Sequence, residues 1–364
     1  MTTRLATPLS QRLGLEVPIF QAPMASVTTS ALASAVSAAG GLGGYGCAYL
    51  QPDAMRREVA AHRAITDRPF QLNFFAAPQP APVPAEAQRE AIAALAGYYG
   101  ELGLPAPEPA AAPYAPNLEA QLDVALELRP TVVTCHLNEL AHARVRAFQA
   151  AGIVVGGSAT CVAEAQRLQA LGMDFVVAQG GEAGGHRGTW TREPREALTG
   201  TLALVRLLVR AVNLPVVAAG GIMDGEGVAA VLALGAQAAQ LGTAFIPCPE
   251  SGATEIYRAA LLGAREDDTE LTDKFTGKPA RGLRNRYIRE TAGAFPRLPF
   301  PAQGQLTAKL RSASAQAGKP DFMTLWAGQA APLARRLPAA ELVRELERET
   351  LAAIERVASL RRTT

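Results

Sequence analysis

Residues 178–190 read AQGGEAGGHRGTW and set His186, one of four histidines, in a run dense with glycine. Imidazole titrates near neutrality, so within a cavity it can take a proton from a carbon acid or donate to an anion. Glycine tolerates positive φ, so such a run can lay backbone against a ligand and leave one imidazole free to face inward. Taken without its place in a fold, the same residue reads as an exposed loop histidine. A second group is Ala219-Gly220-Gly221 with Gly242-Thr243. Glycine in such turns lets backbone N–H groups approach an anion, and Thr243 adds a hydroxyl. The third group is the carboxamides Asn73, Gln179 and Gln240. An amide donates and accepts, so it pairs with the edge of a heteroaromatic ring without adding charge. Plainer readings stand beside these: tight turns for the glycines, capped strand ends for the amides. His136 is either a substrate-orienting group or a hydrogen-bonded core histidine. His62 and His142 fall on helix-like segments and read as surface, and Glu182 with Arg187 reads as a local ion pair.

The elements that must position these residues are short apolar runs with helix-like Ala/Leu/Arg segments between them. The runs are 17–24, 40–46, 69–75, 131–137, 153–159, 174–181, 215–221 and 238–245. Runs that are apolar throughout, without alternation, suit parallel strands covered on both faces by helices. Eight such strands with helical crossovers point to an α/β TIM (β/α)8 barrel, in which strand C-termini line the active face. The candidate residues sit at those ends: Pro23, Met24 and Ala25 after the first strand, Asn73 on the third, His136 on the fourth and Gln179 on the sixth. The two glycine turns close the seventh and eighth strands, where such barrels hold a phosphate. The ensemble suits an isoalloxazine ring, flanked by Pro23-Met24-Ala25, with its phosphate on the last two turns; the cofactor implied is FMN.

Two segments break the rhythm. Residues 76–116 are Pro/Ala-rich around one helical stretch and read as an excursion after the third strand. Residues 247–320 are too long and too charged for one crossover and read as a smaller α+β lid or substrate domain over the barrel mouth. That leaves 1–246 and 321–364 as the FMN-binding barrel. Its tail, 338–362, places Leu342, Leu346, Ile354 and Val357 at helical spacing, as an amphipathic helix on the barrel wall would.

Composition narrows the class. The 364 residues are 49% hydrophobic with a net charge of +2, so a large core is available and no nucleic-acid footprint is visible. The basic stretch Lys274–Arg289 is mixed with Pro, Gly and aromatic residues and reads as a solvated or ligand-facing surface. Cys47, Cys135, Cys161 and Cys248 are too scattered for a metal site. No run is long enough to span a bilayer and the first twenty residues lack a signal-peptide h-region, so a cytoplasmic protein without a membrane partner is expected.

With those residues in view, the chain resembles the class I nitronate monooxygenases, formerly 2-nitropropane dioxygenases, over nearly its whole length. VPIFQAPMA (17–25), QGGEAGGHRG (179–188), PVVAAGGIMDGEGVAAVLALGAQAAQLGTAF (215–245) and FTGKPARGLRN (275–285) carry the resemblance. The second and fourth are the specific ones. The resemblance implies a TIM barrel whose second domain covers a tightly bound FMN. It implies oxidation of alkyl nitronates, propionate 3-nitronate or nitroalkanes with O2 to carbonyl compounds and nitrite, in detoxification; a monomer or homodimer is expected. Flavin contacts would fall on Pro23, Met24, Ala25, Asn73, Gln179, Gly184, Gly221, and on Gln240, Leu241, Gly242 and Thr243. His186 would be the catalytic histidine and His136 a second active-site histidine. Set against the resemblance, the chain departs late: LPFPAQGQLTAKL has Phe300 where related enzymes commonly carry a tyrosine, no tyrosine follows Tyr287, and Lys309 is not assigned to the place of the lysine that the resemblance implies near the substrate. LWAGQAA (325–331) is retained. The competing readings are an NAD(P)H-dependent FMN reductase for quinones or enoyl thioesters on the same barrel, and a phosphate-ligand binding protein without turnover.

Overall fold

The structure is a computed structural model that describes residues 4–360. The first three and last four residues, including the final two of the expected tail helix, lie outside the described residues. Among the described residues there are eleven strands: β1 Ile19–Gln21, β2 Gly43–Gly46, β3 Phe70–Phe75, β4 Val132–His136, β5 Val154–Ala159, β6 Phe175–Gln179, β7 Gly185–His186, β8 Val216–Ala219, β9 Ala238–Leu241, β10 Thr269–Thr272 and β11 Ala280–Leu283. Eight form one parallel sheet in the order β1-β9-β8-β6-β5-β4-β3-β2. Phe20 bridges Leu42 in parallel, with Leu42 N–H on the Ile19 carbonyl and Gln21 N–H on the Leu42 carbonyl, so the two end strands meet and the sheet closes into a TIM barrel. Each of the eight apolar runs became one of these strands. β2 survives its glycines because they serve packing: a Cβ on Gly43 would lie 2.1 Å from the Ala33 carbonyl oxygen of the helix Ser30–Ala38.

The main core lies between barrel wall and helices, joining residues such as Val155, Val176 and Ala218 to Leu204, Leu208 and Val228. A separate plug of Leu9, Leu13, Phe20, Phe175 and Val217 fills the barrel interior, where Phe20 and Phe175 meet edge to face. The helix Ala339–Ala358 packs on Gly225–Ala233 and Ser30–Ala38. Leu342 and Leu346 are buried there as expected, but Ile354 and Val357 are exposed, because the helix runs past the wall it covers.

Residues 247–320 share their core with other segments. Val83, Leu95, Tyr99 and Tyr114 of the Pro/Ala-rich excursion join Phe275, Tyr287, Leu306, Leu310 and Phe322 in one apolar cluster. The Tyr99 hydroxyl donates to the Leu306 carbonyl across it. A three-stranded antiparallel sheet, β10-β11-β7, ties this region to the barrel through the two residues of β7, one of which is His186. Among the described residues no helix is long and apolar enough to cross a membrane.

Candidate active site

The C-terminal ends of the barrel strands and the segments above them enclose a cavity of about 350 Å³. Its walls include Pro23, Met24, Ala25, Asn73, His136, Gln179, Gly184, His186, Ala219, Gly220, Gly221, Gln240, Gly242 and Thr243. Leu241 is the exception among the expected residues. Strand alternation turns Gln240 and Gly242 inward and sends Leu241 into the helix-facing core, while its carbonyl accepts from Ala22 N–H at 2.8 Å.

His186 is held through its own backbone. Its carbonyl accepts from Gln179 Nε2 at 2.9 Å and from His136 Nε2 at 3.2 Å. Arg187 N–H reaches the Pro279 carbonyl, and β7 pairs with β11 through His186 and Ala280. Its ring packs among Phe75, Phe300 and Trp326, at centroid distances of 5.5, 5.5 and 5.9 Å. His186 Nε2 lies 2.9 Å from Thr276 Oγ1, whose single proton goes to the Lys278 carbonyl at 3.2 Å. The threonine oxygen must then accept, which places the imidazole proton on Nε2 and leaves Nδ1 with its lone pair. Burial, reinforced by His136, Lys278 and Arg311, pushes the imidazolium down to about 3. Burial therefore keeps the resting ring neutral near pH 7.

His136 is committed twice over. A carbonyl can only accept, so Nε2 carries the proton toward His186, and Nδ1 takes the Ser158 hydroxyl at 2.9 Å. Burial lowers it to about 4. Gln179 is likewise occupied: besides the His186 carbonyl, its Oε1 accepts from Gly188 N–H at 2.7 Å and from Arg187 Nη1 at 3.0 Å. Asn73 donates to Thr134 Oγ1 at 2.9 Å. Gln240 is half-buried and has no protein partner among the described residues. Gly220 and Gly221 adopt φ of +114° and +71°, which disfavour any side chain, and Thr243 opens a short 3-10 helix.

Three sequence expectations are corrected here. Glu182 and Arg187 do not pair. The Glu182 carboxylate caps the helix Thr201–Ala211, accepting from Thr201 N–H at 2.9 Å and Thr201 Oγ1 at 2.8 Å. Arg187 is wholly buried and donates to the carbonyls of Gly180, Gln179 and Ala197. His62 is not on the surface: it is fully buried, with Nδ1 3.1 Å from the Tyr45 hydroxyl. The basic stretch 274–289 is largely internal, since Lys274 and Arg281 are buried and spend their donors on carbonyls of Gly293 and Gly181.

The cavity also holds residues that sequence reasoning missed: Tyr49, Phe75, Thr276, Arg311 and Trp326. Thr276 and Trp326 lie inside motifs that were singled out, so proximity to a motif was the available signal. Arg311 had none, because nothing local shows which face of its helix meets the barrel. The retained LWAGQAA stretch works as a clamp, with Gly328 N–H on Thr243 Oγ1 at 2.9 Å and Gln329 N–H on the Glu182 carbonyl at 2.9 Å.

Comparison with known proteins places this geometry. The family model described as nitronate monooxygenase matches residues 6–349. A nitronate monooxygenase of Pseudomonas aeruginosa is 47% identical over 344 residues, covering 93% of this chain and 97% of its own. One from Paraburkholderia phytofirmans is 44% identical over 351 residues, covering 95% of each chain. The solved structure of nitroalkane oxidase from Streptomyces ansochromogenes superposes with a TM-score of 0.89 at 40% identity, covering 96% of this chain and all of that one.

Proposed function

The chain belongs to the nitronate monooxygenase family, and on that premise we propose that it uses FMN to oxidise alkyl nitronates with O2 to a carbonyl compound and nitrite, with His186 at the reacting face. The observation that carries this reading is the buried, neutral His186, held by its backbone and by Thr276 in the wall of a cavity ringed by the barrel's strand ends.

The residues present fit FMN. The positive-φ glycines Gly220 and Gly221, whose backbone disfavours any side chain, form with Gly242 and Thr243 a cradle for a phosphate. Gln240 and the Asn73 Oδ1 have no protein partner among the described residues and can meet a ring edge. Pro23, Met24 and Ala25 supply a flanking wall. Bound there, FMN supplies the electron acceptor for the nitronate and the site at which O2 is reduced. His186 Nδ1 takes the α-proton when the substrate arrives as a neutral nitroalkane. His136 and Gln179 act as positioning residues, since both spend their donors on the His186 carbonyl. Phe75, Phe300 and Trp326 keep water from the imidazole. The cap that closes the cavity is read as 247–320 together with the 83–114 excursion, because the two share a core.

His186→Asn tests the assignment. General base work is worth about 10²–10⁴-fold in rate, so kcat/KM for neutral nitroethane is expected to fall by that order, with a smaller loss for ethyl nitronate. Full activity toward both would remove His186 from the chemistry.

A further inference from the structure

Among the described residues, Arg311 is the only formally charged side chain in the cavity wall, and no carboxylate lines it. It comes from the helix Ala302–Gln316. Lys309, two residues earlier, is largely exposed; its nearest carboxylate is that of Glu108 at 3.9 Å, and it does not reach the cavity. Arg311 Nε and Nη2 donate to the Thr307 and Gly304 carbonyls of their own helix, at 3.3 and 3.1 Å. Nη1 has no protein acceptor among the described residues, so an end-on pair of N–H groups, one from each terminal nitrogen, is left for a ligand.

We propose that Arg311 binds the negative charge of the substrate, taking a planar two-oxygen anion, nitronate or carboxylate, through its free N–H pair. This deepens the reading given under Proposed function and rests on it. A nitronate and a carboxylate share the flat two-oxygen geometry that a guanidinium meets with parallel hydrogen bonds, which an ammonium cannot reproduce. His186 cannot do this work: it is neutral, and its free Nδ1 presents a lone pair. Tyr49, Tyr99 and Tyr287 are the groups that act on the Arg311 charge, and it in turn acts on His186. Tyr49 lines the same cavity and offers a phenol beside the anion.

The test uses FMN-loaded wild type, Arg311→Gln and Arg311→Lys. Steady-state rates are measured with ethyl nitronate, whose only charge is the nitronate, and with propionate 3-nitronate, which adds a carboxylate. Losing a charge-assisted pair is expected to raise KM in Arg311→Gln by about 10- to 100-fold with a smaller change in kcat, and Arg311→Lys should recover part of it. A loss with both substrates assigns the pair to the nitronate; a loss confined to propionate 3-nitronate assigns it to the remote carboxylate. Acetate binding, followed by fluorescence of the cavity residue Trp326, gives a readout independent of turnover and should weaken by a similar factor in Arg311→Gln. Unchanged KM for both nitronates together with unchanged acetate affinity would overturn the proposal. If wild type oxidised neither nitronate, the functional reading would fail while the acetate titration still decided the role of Arg311.

Discussion

At the scale of single residues, the site depends on where one proton sits. Thr276 can satisfy the Lys278 carbonyl and His186 together only if the imidazole donates from Nε2. Burial keeps that ring uncharged, with its imidazolium pushed from the ordinary value near 6.5 to about 3. The expected outcome is an imidazole ¹⁵N spectrum at pH 6 that shows His186 neutral and protonated at Nε2. An imidazolium pattern at that pH, or an Nδ1–H tautomer, would contradict the assignment. The same residue scale explains why Gln179, read from sequence as a ring contact, acts mainly as a brace: its amide is already filled by His186, Arg187 and Gly188.

At the scale of elements, the glycine turns after β8 and β9 are the parts proposed to hold the phosphate, and the first is set by a positive φ at Gly220 and Gly221. Gly220 sits at φ +114°, and a Cβ there would lie 3.0 Å from the Ala183 amide nitrogen. Gly220→Ala combines backbone strain with a contact against main chain and is expected to cost about 1–3 kcal/mol of stability. Protein purified from that variant should carry substoichiometric flavin; full flavin content at wild-type affinity would separate the turn from the phosphate. The eight barrel strands were legible because parallel strands buried on both faces announce themselves as short apolar runs, and the strand-end rule then located His136, His186 and the carboxamides. What sequence could not supply were relations between distant segments. Thr276 and Arg311 reach the cavity from a region whose docking is set by the shared core of 83–114 and 275–322. His62 was misjudged because a single buried stripe on the helix Pro52–Ile65, with Met55 and Val59, decides its environment. Glu182 was given the wrong partner because a helix N-terminus nineteen residues away competes better for its carboxylate than a neighbouring arginine.

At the scale of the whole molecule, the buried histidines link folding to pH. His136 and His186 are lowered to about 4 and about 3, chiefly by burial, whereas in the unfolded chain both titrate near 6.5. The unfolded state therefore binds more protons than the native state once pH falls below about 6.5. The stability held by these residues is complete above that value and is lost as pH drops toward about 4 and about 3. Urea unfolding is expected to show lower stability at pH 5 than at pH 7, by roughly 2 kcal/mol for each of the two residues. Equal or greater stability at pH 5 would mean that they are charged in the native state. The family shared with the Pseudomonas and Paraburkholderia enzymes fixes the reaction class, and the cavity at the barrel's strand ends is the place proposed for it. The most direct test is anaerobic mixing of the purified protein with ethyl nitronate, followed in the visible spectrum. A yellow protein with FMN bands that bleach on adding nitronate, recover on admitting O2 and ignore NADH and NADPH is the expected result. A colourless protein, or a flavin bleached by NADH or NADPH and indifferent to nitronate, would contradict the account.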